Sequence, residues 1–120
     1  MSPAIDWDVV TSLRELQSGS SDLGLELIEL FLSELPGRVE ALETAIREAD
    51  PAMLLRAAHR LKGSSGTLGA KQLAAICAEL EQKGRVGTVE GAPNLLVMLK
   101  EEVQRVRQEL EGLQISHLPT

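Results

Sequence analysis

Leu, Ile, Val and Ala recur at three- and four-residue intervals along almost the whole chain, and alternation of β-branched residues is scarce. That periodicity places apolar side chains on one stripe of an α-helix and leaves a sheet without its pattern. Leu23, Leu27, Leu30, Phe31, Leu35, Val39, Leu42, Ile46 and Ala49 hold it over residues 22–49. Pro36 lies midway and removes one backbone donor, so this segment is either one kinked helix or two helices meeting there. Asp50-Pro51 then reads as a restart, a capping side chain followed by Pro at the first helical position. Leu54, Ala58, Leu61, Ser65 and Leu68 form the next stripe, and Gly69 is placed to end it. A further helix over 70–83 carries Leu73, Ile76, Cys77 and Leu80 inward, with Gly84 as its stop. Residues 84–91 contain three glycines and read as a loop. A last helix over 93–113 carries Leu95, Leu99, Val103, Val106, Leu110 and Leu113, and residues 114–120 form a frayed tail.

A short first helix starts at Asp6, with Ile5 and Val10 as a hydrophobic staple, and breaks at residues 18–21. Long amphipathic helices with short connections predict an all-α fold, an antiparallel four-helix bundle with this additional N-terminal helix at one end. With 120 residues and no long linker, residues 1–120 form a single domain.

Composition removes several function classes. Asp and Glu outnumber Lys and Arg 18 to 12, for a net charge of −6, which argues against nucleic acid and anionic membranes as partners. One Trp, one Phe and no Tyr leave nothing to build a base-stacking platform. A single cysteine, Cys77, excludes an intrachain disulfide and reads as a small buried hydrophobe. No apolar run is long enough to span a bilayer and no secretion leader is visible, so the default location is cytoplasmic. Neither His59 nor His117 has a Glu three residues before it, so the paired motif of di-metal bundles is absent and no metal site is expected. His117 falls in the tail and carries no expected role. Glu26, Glu29, Glu34, Glu40 and Glu43 read as a solvated face.

The third stripe breaks helix rules on one side. Gly63 and Gly66 interrupt a segment whose apolar residues continue, and each interior glycine costs about 0.5–1 kcal/mol relative to Ala. His59, Lys62, Gly63 and Gly66 stand at i, i+3, i+4 and i+7, on one side of the helix at the edge of the core stripe. An imidazole therefore has a cation one turn away and cleared ground beyond it. A lone helical histidine is ordinarily structural, and paired glycines also permit close helix packing. The combination instead suits phosphoryl chemistry: imidazole is a competent nucleophile at neutral pH, an ammonium can contact a phosphorylated ring, and missing side chains admit a partner. The charge distribution agrees. Residues 1–50 carry 11 acidic and 3 basic residues, and residues 51–120 carry 7 and 9. Arg56, Arg60, Lys62, Lys71, Lys83 and Arg85 surround the histidine with only Glu79 and Glu81 opposing, a basic zone suited to an acidic partner.

Residues 59–70, HRLKGSSGTLGA, closely resemble the signature of histidine-containing phosphotransfer (HPt) domains of two-component phosphorelays. The likeness extends to IDWDVVTSLREL, LIELFLSELPGRVEAL and LAAICAELE. The resemblance implies that His59 accepts the phosphoryl group, that Lys62 assists it and that Gly63 gives access. It implies reversible exchange with an aspartate of a response-regulator receiver domain, and a hybrid sensor histidine kinase upstream. It implies Mg²⁺ on the receiver only, with no cofactor on this chain. Leu55, Arg56, Arg60, Ser64, Gly66 and Thr67 are then docking residues. There is no Gly-rich nucleotide loop, so the expectation is a monomeric phosphoryl carrier rather than an enzyme with a nucleotide site. A helical module that docks receivers or kinases without chemistry is the alternative.

Overall fold

The computed structural model describes residues 3–8 and 23–116, with side chains placed from 25 to 112 in the helical part. Among the described residues there are four helices and no strand: α1 (Leu23–Arg47), α2 (Pro51–Thr67), α3 (Lys71–Arg85) and α4 (Ala92–Ser116). Each packs on its neighbours in sequence, and α4 closes the ring against α1. The result is the expected antiparallel four-helix bundle. The expected N-terminal helix falls mostly on residues outside the described ones. Its cap is present, since Asp6 Oδ1 accepts a hydrogen bond from Asp8 N at 3.1 Å.

The short connections follow from local chemistry. Asp50 caps α2 by accepting from Met53 N at 3.1 Å, with Pro51 in the first turn. At the other end of α2, Gly69 has φ of 75°, and Ala70 N donates to Ser65 O at 2.8 Å. This is the left-handed ending that satisfies the last carbonyls of a helix, most easily formed by glycine. The end of α1 has the same geometry at Ala49, φ 52°, where Asp50 N donates to Ala45 O. The N-terminal segment is tied to the far end of α2: Asp6 N donates to Gly69 O at 2.7 Å, Lys71 Nζ lies 2.6 Å from Asp6, and Glu109 accepts from the backbone N–H groups of Ala4 and Ile5.

The core is formed by the stripes read from the sequence, with corrections on α1. Leu35 and Leu42 face inward with Leu54, Ala58, Leu61, Leu73, Ile76, Cys77, Leu80, Leu99, Val103, Val106 and Leu110. Ile28 and Ala45, outside the expected set, are buried, whereas Leu30 is 54% exposed and Ala49 is exposed beyond the helix end. Two adjacent residues satisfy a three/four spacing equally well at 27–31, and only the partner helices decide between them. Pro36 is exposed and α1 runs through it as one helix, which resolves the choice between a single and a broken helix. The backbone of α4 is helical three residues beyond the expected end at Leu113. Residues 117–120, with His117, lie outside the described ones. Burial pushes the Cys77 thiol up to about 12, so it stays protonated and inert at neutral pH. No helix among the described residues is long and apolar enough to cross a membrane.

Gly84 has a different role from the expected one. It does not stop α3, which continues to Arg85; Gly87, with φ of 85°, follows the end instead. Gly84 is buried in the seam between α3 and α2. A Cβ there would stand 2.6 Å from both Leu55 N and Pro51 O, a backbone clash that no side-chain motion relieves. Gly84→Ala must therefore separate the two helices and is expected to destabilise the domain by about 1–3 kcal/mol. At roughly 4 °C of Tm per kcal/mol, thermal unfolding followed by circular dichroism reads this directly. An unchanged Tm would contradict the close approach.

Candidate functional site

His59 lies on the exposed edge of α2, beside the buried Leu54/Ala58/Leu61 stripe. Its side chain is 71% exposed, but it is not free. Nδ1 lies 2.6 Å from Oε2 of Glu81, a carboxylate of α3 only 3% exposed. The other oxygen of Glu81 accepts from Lys62 Nζ, and Arg85 Nη2 approaches Oε2 at 3.6 Å. One buried carboxylate thus holds the histidine and the lysine of α2 at once. A carboxylate facing Nδ1 makes that nitrogen the donor, so the neutral ring carries its proton on Nδ1 and presents the Nε2 lone pair outward.

Sequence reasoning placed Glu81 only as an opposing charge in a basic zone. It is the central group of the site. The pattern held a clue, because Glu81 follows Cys77 by four residues and Leu80 by one, on the flank of the α3 core stripe. An acidic residue on such a flank must find a partner. Lys62, half-buried, is accordingly engaged with Glu81 rather than free.

Gly63 and Gly66 are exposed, and a Cβ at either would meet nothing within 4 Å. Among the described residues no helix packs against either one, whereas Gly84 lies in a helix–helix seam. The expected docking residues fall on two sides of the histidine. Leu55 is half-buried, with its backbone in the α2–α3 seam at Gly84. Arg56 and Arg60 are exposed on the opposite side, where they line a groove of about 480 Å³ with Ser33, Gly37 and Arg38 of α1. Ser64 and Thr67 border a smaller, contiguous hollow against Leu27, Leu30 and Phe31. Both hydroxyls bond back to their own helix: Ser64 Oγ donates to Arg60 O at 3.2 Å and Thr67 Oγ1 to Gly63 O at 3.0 Å. Leu30, an exposed leucine beside Ser64 and Thr67, was expected in the core and is instead part of this surface. Of the acidic face expected on α1, Glu26, Glu29 and Glu40 are solvated. Glu34 pairs with Arg38, and Glu43 lies 3.3 Å from Lys100 of α4. Among the described residues no three His, Cys, Asp or Glu side chains gather as metal ligands.

A family model, the Hpt domain, matches residues 26–109. The chain belongs to the Hpt domain family. The fold agrees: histidine-containing phosphotransfer protein B of Pseudomonas aeruginosa superposes with a TM-score of 0.90 at 30% identity, over 98% of this chain and 100% of that one. The HPT domain of a hybrid histidine kinase from Shewanella superposes with a TM-score of 0.79 at 27% identity, over 98% and 97%. The signal transduction histidine-protein kinase BarA of Escherichia coli is 31% identical over 107 residues, 88% of this chain. The Hpt domain described here spans only 11% of that kinase's length. Histidine-containing phosphotransfer protein 2 of Arabidopsis thaliana is 27% identical over 111 residues, 88% of this chain and 70% of the relative.

The charge state of Glu81 gives this Hpt domain a pH dependence. The bonded Lys62 ammonium holds the Glu81 carboxyl below the ordinary carboxylate value. Burial opposes this, and the His59 hydrogen bond adds to the lowering. A depressed folded-state pKa contributes stability above the unfolded value and loses it as pH falls through the folded one. In urea unfolding, the stability gap between the parent and Glu81→Gln should be full at neutral pH and shrink below about pH 4. A gap that stays constant down to pH 3 would remove the ion pair from the account.

Proposed function

We propose that His59 is the phospho-accepting residue of this domain and that Nε2 is the attacking atom. The domain has a histidine phosphotransfer role in a phosphorelay, as a carrier. The observation that carries the assignment is the Nδ1–Glu81 contact at 2.6 Å, which leaves Nε2 as the outward lone pair of an exposed ring. In the forward step that lone pair attacks the phosphorus of a receiver aspartyl phosphate. The N–P bond forms, the P–O bond to the aspartate breaks, and the carboxylate leaves. In the reverse step the electrons of the N–P bond return to Nε2.

Lys62 lies one turn from the ring and supplies positive charge to the incoming phosphoryl oxygens. Gly63 and Gly66 leave the approach open, so the receiver can bring its catalytic groups to the ring. Mg²⁺ belongs to that receiver, and this chain needs no cofactor. The phosphoryl donor is another protein, since no nucleotide loop is encoded; a hybrid sensor histidine kinase fits that place upstream. Carrier chemistry requires only one copy, and we infer that residues 1–120 act as a single monomeric domain working in the cytoplasm, whether or not further domains accompany it.

The test mixes the protein with a labelled phospho-receiver. Label that is acid-labile, alkali-stable and lost in His59→Gln is expected; label reaching His59→Gln unchanged would overturn the assignment. Gly63→Gln should slow transfer at least tenfold with helicity unchanged, because its side chain fills the open ground beside the ring. Gly63→Ala is expected to stabilise α2 by about 0.5–1 kcal/mol in thermal unfolding, since it adds a methyl group to open space.

The groove beside the site fits a receiver surface that pairs apolar contact with acidic residues. Leu30 would meet the apolar part, and the guanidinium groups of Arg56 and Arg60 would meet the acidic residues. Arg60→Glu is expected to weaken receiver binding several-fold at low salt, with the difference shrinking as salt rises. Leu30→Ser should weaken it without salt dependence. Titrations showing neither pattern would place docking elsewhere.

A further inference from the structure

Glu81 is more deeply buried than tautomer selection requires. A backbone carbonyl, or a neutral amide, would also hold Nδ1–H. The fold instead places a full negative charge there at 3% exposure. Among the described residues, the charged groups facing it are Lys62 from α2 and Arg85 from α3, with the titratable ring of His59 beside them. Cys77, one turn before it on α3, is a protonated thiol at neutral pH. The carboxylate is withdrawn from water while the ring it contacts is exposed, so the charge acts on Nδ1 at hydrogen-bond distance, 2.6 Å.

The importance of that charge changes when the ring is phosphorylated. With phosphorus on Nε2 and a proton on Nδ1, the imidazole is a cation. If the phosphoryl group leaves from that form, the departing ring is neutral imidazole with its Nδ1–H intact. If Nδ1 has lost its proton, the departing ring is an imidazolate, a far poorer leaving group. Transfer back to an aspartate therefore proceeds from the Nδ1-protonated phospho-ring.

Resting on the reading of His59 as the acceptor, we propose that Glu81 is a positioning residue whose negative charge keeps Nδ1 of phospho-His59 protonated. It thereby sets how readily the domain gives its phosphoryl group away. The balance is complete without a proton in flight. On arrival, the Nε2 lone pair becomes the N–P bond, the ring gains one positive charge, and Glu81 already stands opposite with one negative charge. On departure the N–P electrons return to Nε2 and the ring is neutral again, with the same proton on Nδ1. An opposite charge at this distance raises the pKa of a cationic acid by about one to three units. The parent therefore retains its transfer-ready form into alkaline solution.

Glu81→Gln tests the charge apart from the shape, because the amide oxygen still accepts from Nδ1–H. Both proteins are phosphorylated with phosphoramidate, which needs no receiver, and the site of label is mapped. Transfer to a receiver is then followed from pH 6 to 10. The expected result is a parent profile whose alkaline fall lies about one to three pH units above that of the variant. ¹⁵N NMR of the unphosphorylated ring should show Nδ1–H in both. Coincident profiles with label on His59 would overturn this proposal and leave the acceptor assignment standing. Absence of label from His59 in the parent would overturn both. Should the variant fail to fold, ¹⁵N titration of Nδ1 in the phosphorylated parent gives the same answer against a phosphohistidine peptide. A pKa raised by about one unit or more supports the proposal and an unshifted one overturns it.

Discussion

The site depends on how closely α3 approaches α2. At Gly84 the two backbones touch, with no room for even a methyl group between Gly84 and the N–H of Leu55. That contact fixes the register of the antiparallel pair. One turn back along α3 from Gly84 stands Glu81, and one turn forward along α2 from Leu55 stands His59. The register that places Gly84 on Leu55 therefore places Glu81 on His59. A helix pair held apart by an alanine would carry the same residues and lose the 2.6 Å contact between the carboxylate and Nδ1. The geometry around His59 is a consequence of backbone packing one turn away.

This dependence explains which parts of the molecule were legible in the sequence. Helix existence, the Asp50-Pro51 start and the Gly69 end are local, written in adjacent residues, and the structure has them where the pattern put them. His59, Lys62 and Gly63 could be grouped for the same reason, being one turn of one helix. Gly84 and Glu81 were misjudged because their meaning lies in a different helix. A glycine near the end of a stripe resembles a stop, and only the opposing backbone reveals it as a contact. Leu30 and Ile28 show the same limit in the core. Both satisfy the α1 periodicity, and burial is decided by what lies opposite.

The bulk charge is a poor guide to the surface around the histidine. Net −6 becomes a basic zone around α2 and α3, as the charge distribution implied, but the zone is not uniform. Glu81 engages Lys62 and His59 from below, so part of the positive charge is already balanced within the fold. Arg56 and Arg60 point the other way, into the groove against α1, where Arg38 is engaged with Glu34. Two electrostatic tasks are thus separated by the α2 helix itself. On the α3 side a carboxylate contacts the ring, and on the α1 side arginines line a groove.

That separation accounts for the composition of α2. Its α3 side must admit close backbone approach, so Leu55 meets a glycine. Its outward edge carries Gly63 and Gly66 where better helix formers would be more stable, and the space beside them is open. Two interior glycines weaken the helix by about 1–2 kcal/mol together. The helix is secured at both ends instead: Asp50 caps the start, the left-handed Gly69 closes the last carbonyls, and the N-terminal segment bonds to Gly69 O through Asp6 N. Stability is concentrated at the termini of α2 and in its buried stripe. The middle of its exposed edge, at Gly63 and Gly66, contributes little to that stability and leaves the space beside His59 open.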